Sequence, residues 1–109
     1  MSEVIASLDA STFDDQVRSG TWLVDFWAEW CQPCHALHAV LEEIVPELPD
    51  DVAIGRVQIT RESDLAARFE VSSVPTIVVL HDGEVRRKLF GTKNRRQLLA
   101  AITAARGDG

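Results

Sequence analysis

Two cysteines, Cys31 and Cys34, are the only ones in the 109-residue chain, and they sit in Trp30-Cys31-Gln32-Pro33-Cys34-His35. Two residues between thiols let the sulfurs meet and form a reversible dithiol/disulfide couple. An apolar run, Trp22-Leu23-Val24-Asp25-Phe26-Trp27-Ala28, precedes the pair, and a helical pattern follows it. A strand-to-helix junction places Cys31 at a helix entry and Cys34 in the first turn. Unpaired N–H groups there carry partial positive charge. A Cys31 thiolate gains from that field, and its pKa drops from about 8.5 toward neutrality. The thiolate is the form that attacks a disulfide. Pro33 suits the first turn, having no N–H to leave unpaired and a φ already near the helical value.

Other uses are open to such a pair. Two buried structural cysteines are the blandest. Cys31-Gln32-Pro33-Cys34-His35 also matches a haem-attachment pattern. The only methionine is Met1, which leaves His38 or His81 as a second axial ligand. Cys31, Cys34, His35 and His38 form a four-ligand zinc set on paper. On one helix they project from one face, and such a stripe does not surround a tetrahedral ion. No metal is therefore expected. A protonated His35 would further favour a nearby thiolate.

Asp25 interrupts the apolar run six residues before Cys31. If the run is buried, desolvation raises the carboxyl pKa, and an acid of that kind near Cys34 can exchange its proton. The alternative is a solvent-facing strand residue. Val74-Pro75-Thr76 is the third feature, a proline at the mouth of a strand, which removes one N–H from the ladder.

These residues need a frame. Val4-Ile5-Ala6 reads as a first strand. Ser11 is positioned to cap a short helix reaching Gly20, with Phe13 and Val17 on one face. Trp22 to Ala28 fits a central strand buried on both faces. Leu37, Leu41, Ile44, Val45 and Leu48 repeat at helical spacing from Cys34 onward, with Pro46 and Pro49 near the end. Val52 to Ile59 is a β-branched strand. Leu65, Ala66 and Phe69 mark a helix that Ser63 would cap. Thr76 to Leu80 is a strand, and Asp82-Gly83 a hairpin turn into Val85–Leu89. Asn94 and Gln97 make a capping box for a last helix carrying Leu98, Leu99 and Ile102. The order β-α-β-α-β-α-β-β-α fits one central sheet with helices on both faces, an α/β domain.

The length fits one domain, 1–106, with 107–109 as a tail. A formal charge of −6 disfavours nucleic acid or an anionic membrane as partner. Arg86-Arg87-Lys88 and Arg95-Arg96 are basic clusters, read as solvated faces. Arg106-Gly107-Asp108 is read as a chance triplet. Met1 to Ala6 has no positive n-region or long apolar h-region, and no apolar stretch reaches the ~18 residues of a membrane span. The cytoplasm is the expected compartment. A close cysteine pair there is more often catalytic or metal-binding than structural.

Taken together, Val24-Asp25-Phe26-Trp27-Ala28-Glu29-Trp30-Cys31-x-Pro33-Cys34 resembles the thioredoxins, as do Val74-Pro75-Thr76, Asp82-Gly83-Glu84 and Phe90-Gly91. The resemblance runs from near the N-terminus to about Ala105. It implies a thioredoxin fold: a central mixed five-stranded sheet flanked by four helices, with a cis Val74–Pro75 bond facing the cysteines. It implies Cys31 as nucleophile, Cys34 as buried resolving thiol and Asp25 as proton acceptor. Trp27, Trp30, Val74, Pro75 and Gly91 become the docking surface, beside Gln32 and Pro33. The Val74 backbone would pair with an extended substrate. The redox centre is then the Cys31–Cys34 disulfide, with no bound cofactor. The partners are protein disulfides and an NADPH-dependent flavoprotein, thioredoxin reductase; the chain would work as a monomer.

Several positions depart from the family pattern. Gln32 stands where Gly is usual, His35 where Lys or Arg is common, and Ala39 where a helix-kinking Pro is frequent. Arg56 replaces the lysine that commonly neighbours the aspartate. Its permanent charge should hold the Asp25 pKa down, against desolvation. Val57-Gln58-Ile59-Thr60 lacks the acidic residues common there. The rival reading is a thioredoxin-like binding or chaperone module using the same apolar patch with little redox turnover. A dithiol glutaredoxin fits less well, because no Gly-Gly pair follows the proline strand.

Overall fold

A computed structural model describes residues 5–107. Its five strands are β1 (Ala6–Ser7), β2 (Thr21–Trp27), β3 (Val52–Gln58), β4 (Thr76–His81) and β5 (Glu84–Phe90). They form one sheet in the order β1-β3-β2-β4-β5. β3 runs parallel to β1 and β2, while β4 is antiparallel to β2 and β5. The sheet is therefore mixed. The four α-helices are α1 (Phe13–Gln16), α2 (Gln32–Ile44), α3 (Ser63–Arg68) and α4 (Arg95–Arg106).

β2 is central because nearly every residue in it is buried. Strand alternation sends Leu23 to one face and Val24 and Phe26 to the other. Leu23 joins Leu37, Leu41 and Ile44 of α2 and Leu98 and Ile102 of α4 in one core. Val24 and Phe26 pack with Phe13, Val17 and Leu65 in a second, on the α1 and α3 side. Asp25 and Trp27 share the Leu23 face by the same alternation, so the carboxylate lies on the side that α2 covers.

Three local expectations need correction. Val4 lies outside the described residues, and the first strand covers Ala6–Ser7. α1 is a single turn rather than a helix reaching Gly20. Ser11 does not cap it, because Asp9 Oδ1 accepts from the Ser11 and Thr12 N–H groups and takes that role. Ser63 is the first helical residue of α3, and its N-cap, Glu62, makes no side-chain cap bond. α2 ends at Ile44, close to Pro46 as expected, and the chain makes one further 3-10 turn over Val45–Glu47. Proline is tolerated there because it falls in a first turn, where its missing N–H would have no helical partner.

Other expectations hold. Asn94 and Gln97 form a reciprocal capping box at the start of α4. Asp82 and Gly83 both take positive φ, as a tight β4–β5 hairpin of the I′ type requires. α2 is unbroken through Ala39.

Candidate active site

The end of β2 and the start of α2 bring the cysteines together. Cys31 is the N-cap of α2, in extended conformation, and Gln32 and Pro33 open the helix. The Cys34 N–H donates to Cys31 Sγ at 3.2 Å, so a first-turn donor is aimed at that sulfur. The two residues are joined as a disulfide with Cα atoms 5.2 Å apart. Cys34 is wholly buried, whereas Cys31 keeps 5 % of its surface exposed. That sliver is small. It still distinguishes the pair, since Cys31 is the only one a solvent-borne group can touch.

Ala28, Cys31 and Cys34 form a small apolar cluster with Trp27, Ile59 and Val74 against it. The Val74–Pro75 bond is cis. Pro75 is buried and Val74 half-buried, so Val74 rather than the proline ring offers surface. The Gly91 N–H donates to Pro75 O at 2.9 Å, tying the segment after β5 to this loop. Gly91 has φ +79°, a conformation that favours glycine. Trp30 is 70 % exposed, and Gln32 and Pro33 are exposed beside it. Trp27 is half-buried.

Asp25 is fully buried, which removes the solvent-facing alternative. Register places it beside Arg56 across the parallel β2–β3 pair. Arg56 Nε donates to Asp25 Oδ2 at 2.9 Å. The guanidinium carbon also lies 4.1 Å from the Trp27 ring centroid, a cation–π contact. Burial pushes the Asp25 carboxyl up to about 6, and the Arg56 charge and hydrogen bond pull against it without winning. Asp25 Oδ1 and one Arg56 terminal nitrogen are buried without a hydrogen-bond partner.

His35 reaches back along the active-site loop. Its Nε2 lies 2.7 Å from Glu29 O, and its ring meets Trp27 edge-on at 6.1 Å. The hydrogen bond to a carbonyl requires a proton on Nε2. His35 thus braces the 29–31 loop against α2, a link the spacing alone did not reveal. His38 leans toward Glu42 at 3.3 Å instead of toward the cysteines. Among the described residues no group of three or more His, Cys, Asp or Glu side chains is placed to hold a metal ion.

A Cys-x-x-Cys pair at a strand–helix junction, a cis-proline loop beside it and a buried carboxylate on the strand that leads into it define a thiol–disulfide oxidoreductase site whose redox centre is the protein's own sulfur. Comparison with known proteins agrees. The thioredoxin family model matches residues 4–104. Thioredoxin of Staphylococcus saprophyticus is 39 % identical over 98 residues, covering 90 % of this chain and 94 % of that protein. Thioredoxin of Chlamydia pneumoniae is 39 % identical over 99 residues, covering 91 % and 96 %. The chain belongs to the thioredoxin family. It is a protein thiol–disulfide oxidoreductase built on a Cys-x-x-Cys dithiol, and the binding-module reading is not favoured. Its substrates are protein disulfides, and a thioredoxin reductase is the partner usual for the family.

Proposed function

We propose that Cys31 is the attacking thiolate and Cys34 the resolving thiol in reduction of protein disulfides. The observation that carries this assignment is the Cys34 N–H directed at Cys31 Sγ. A donor fixed at a helix start stabilises an anion on that sulfur and does nothing comparable for Cys34. The Cys31 thiolate attacks one sulfur of the substrate disulfide, forming a mixed disulfide and releasing the other sulfur as a thiolate. Cys34 then loses its proton and attacks Cys31 Sγ. The Cys31–Cys34 bond forms, the mixed disulfide breaks, and the second substrate thiolate leaves. Two electrons pass from the dithiol to the substrate.

Asp25 takes the Cys34 proton in this scheme. Oδ2 is engaged by Arg56, so the unpartnered Oδ1 is the oxygen left to receive it. A pKa near 6 leaves the carboxyl mostly ionised at neutral pH yet basic enough to accept a proton. Arg56 and His35 stand behind these groups, one steadying Asp25 and the other the loop. Trp27, Trp30, Gln32, Pro33, Val74, Pro75 and Gly91 frame the docking surface. The Val74 main chain pairs with an extended stretch of substrate. The chain acts as a cytoplasmic monomer, a single domain over residues 1–106, recycled by an NADPH-dependent thioredoxin reductase.

The test is insulin reduction with dithiothreitol, monitored for the native chain and Cys31→Ser. Native protein accelerates the reaction and Cys31→Ser does not. Cys34→Ser accumulates a mixed disulfide with its substrate through Cys31. Equal rates for native and Cys31→Ser, or no trapped species, overturn the assignment.

A further inference from the structure

Residues 86–96 hold six of the chain's eleven Lys and Arg and none of its seventeen Asp and Glu. In a chain of net charge −6 this is a strong local reversal of sign. The fold puts the first half of that run, Arg86-Arg87-Lys88, on β5, the last strand of the sheet, whose outer edge has no partner strand among the described residues. The second half follows at Lys93 and the start of α4.

Most of this charge is not cancelled. Lys88 Nζ rests on the Phe69 and Glu70 carbonyls, and Lys93 Nζ on the Phe90 carbonyl. Each amine keeps its full charge in such a contact. Arg95 is paired with Glu47, and Arg86 sits 3.6 Å from Glu84. Arg87 and Arg96 make no ion pair among the described residues.

Cations on an open edge are a common guard against strand-to-strand aggregation. A guard needs no apolar surface, yet β5 also exposes Val85 and Phe90, the latter at 58 %. Phe90 pairs in register with Thr76, next to the cis proline, and Gly91 bonds Pro75 directly. The basic edge is therefore continuous with the proposed docking surface.

We infer that β5 and the start of α4 form a docking surface for an extended acidic segment flanking the disulfide of the protein substrate. The open strand edge supplies main-chain donors and acceptors, Val85 and Phe90 supply apolar contact, and the cations select sign. The inference rests on the oxidoreductase reading and adds to it a preference among substrates.

The experiment uses the reduced full-length chain and three synthetic peptides with one common disulfide loop. One carries a flanking run of Glu and the second a run of Gln. The third carries the Glu run with alternate backbone nitrogens methylated. At low salt the Glu-flanked peptide is reduced about tenfold faster than the Gln-flanked one, and the ratio shrinks as salt screens the charges. The double variant Arg86→Gln, Arg87→Gln brings the ratio down to about threefold or less. Methylation also slows the Glu-flanked peptide. Equal rates for Glu and Gln flanks, a ratio untouched by the double variant, or no effect of methylation overturns the inference. If the native chain reduces the Gln-flanked peptide without preference, only this surface is lost. If it reduces no peptide, the dithiol assignment falls as well.

Discussion

Arg56 donates its Nε–H to Asp25 Oδ2 at 2.9 Å from the directly adjacent position on the neighbouring parallel strand. This pairing opposes the rise in the Asp25 carboxyl pKa that burial causes. Burial alone favours the protonated form, and the guanidinium draws the pKa back toward the working range. Because arginine does not lose its proton, the restraint is constant with pH. The same guanidinium covers the Trp27 ring, so the end of β2 and the carboxylate are held by one side chain.

Arg56→Met removes both influences that lower the Asp25 pKa. The pH midpoint of mixed-disulfide resolution, followed by stopped-flow, moves upward, and the rate at neutral pH falls several-fold. Arg56→Lys keeps a charge and restores much of the native profile. A midpoint that stays in place in Arg56→Met shows that Arg56 only supports the fold.

Asp25 also makes stability depend on pH. Below about pH 4 the carboxyl is protonated in folded and unfolded chains alike and costs nothing. Between about 4 and 6 the folded state keeps a proton that the unfolded state has lost, so stability falls as pH rises. Above that window both forms are ionised, and the folded chain carries a penalty of about 3 kcal/mol. Asp25→Asn abolishes this slope. It is more stable than the native protein by about 1–3 kcal/mol at pH 8 and close to it at pH 4. Urea denaturation at several pH values measures the difference; parallel curves for the two proteins contradict the assignment.

Trp30 contributes surface rather than core. Trp30→Ala changes stability by no more than about 0.5 kcal/mol. It lowers kcat/KM for a protein disulfide about tenfold, because an exposed aromatic beside a reactive centre is a natural contact anchor. An unaltered kcat/KM removes Trp30 from the docking surface.

Asn94 closes the first turn of α4, accepting from the Gln97 N–H at 2.8 Å while Gln97 Oε1 accepts from the Asn94 N–H at 2.9 Å. Asn94→Ala costs about 1 kcal/mol, read as a lowered denaturation midpoint. No loss would mean that α4 is held by its apolar face alone.

The elements that could be read from the chain were those with a strong local signature. β2 announces itself as an apolar run, the Asp82-Gly83 turn by residue type, and α4 by its capping box. α1 was harder because Asp9, two residues before Ser11, satisfies the N–H groups that Ser11 was expected to serve. Competing caps a few residues apart look alike in sequence. At the site, the Cys31–Cys34 spacing pointed to the dithiol chemistry, and the oddity of Asp25 in an apolar strand flagged a buried carboxylate. The span from His35 to Glu29 O and the lie of Arg56 over Trp27 depend on side-chain paths, which spacing does not encode. The small exposed area of Cys31 is likewise a product of packing by Trp27, Ile59 and Val74.

The central claim is that Cys31 is the acidic thiol of the pair because α2 begins at it. Ultraviolet absorbance of the thiolate, titrated in the reduced native chain and in Cys34→Ser, measures this directly. The account predicts that Cys31 ionises below the ordinary thiol value of about 8.5, in both proteins. A Cys31 pKa at or above about 9 would contradict it.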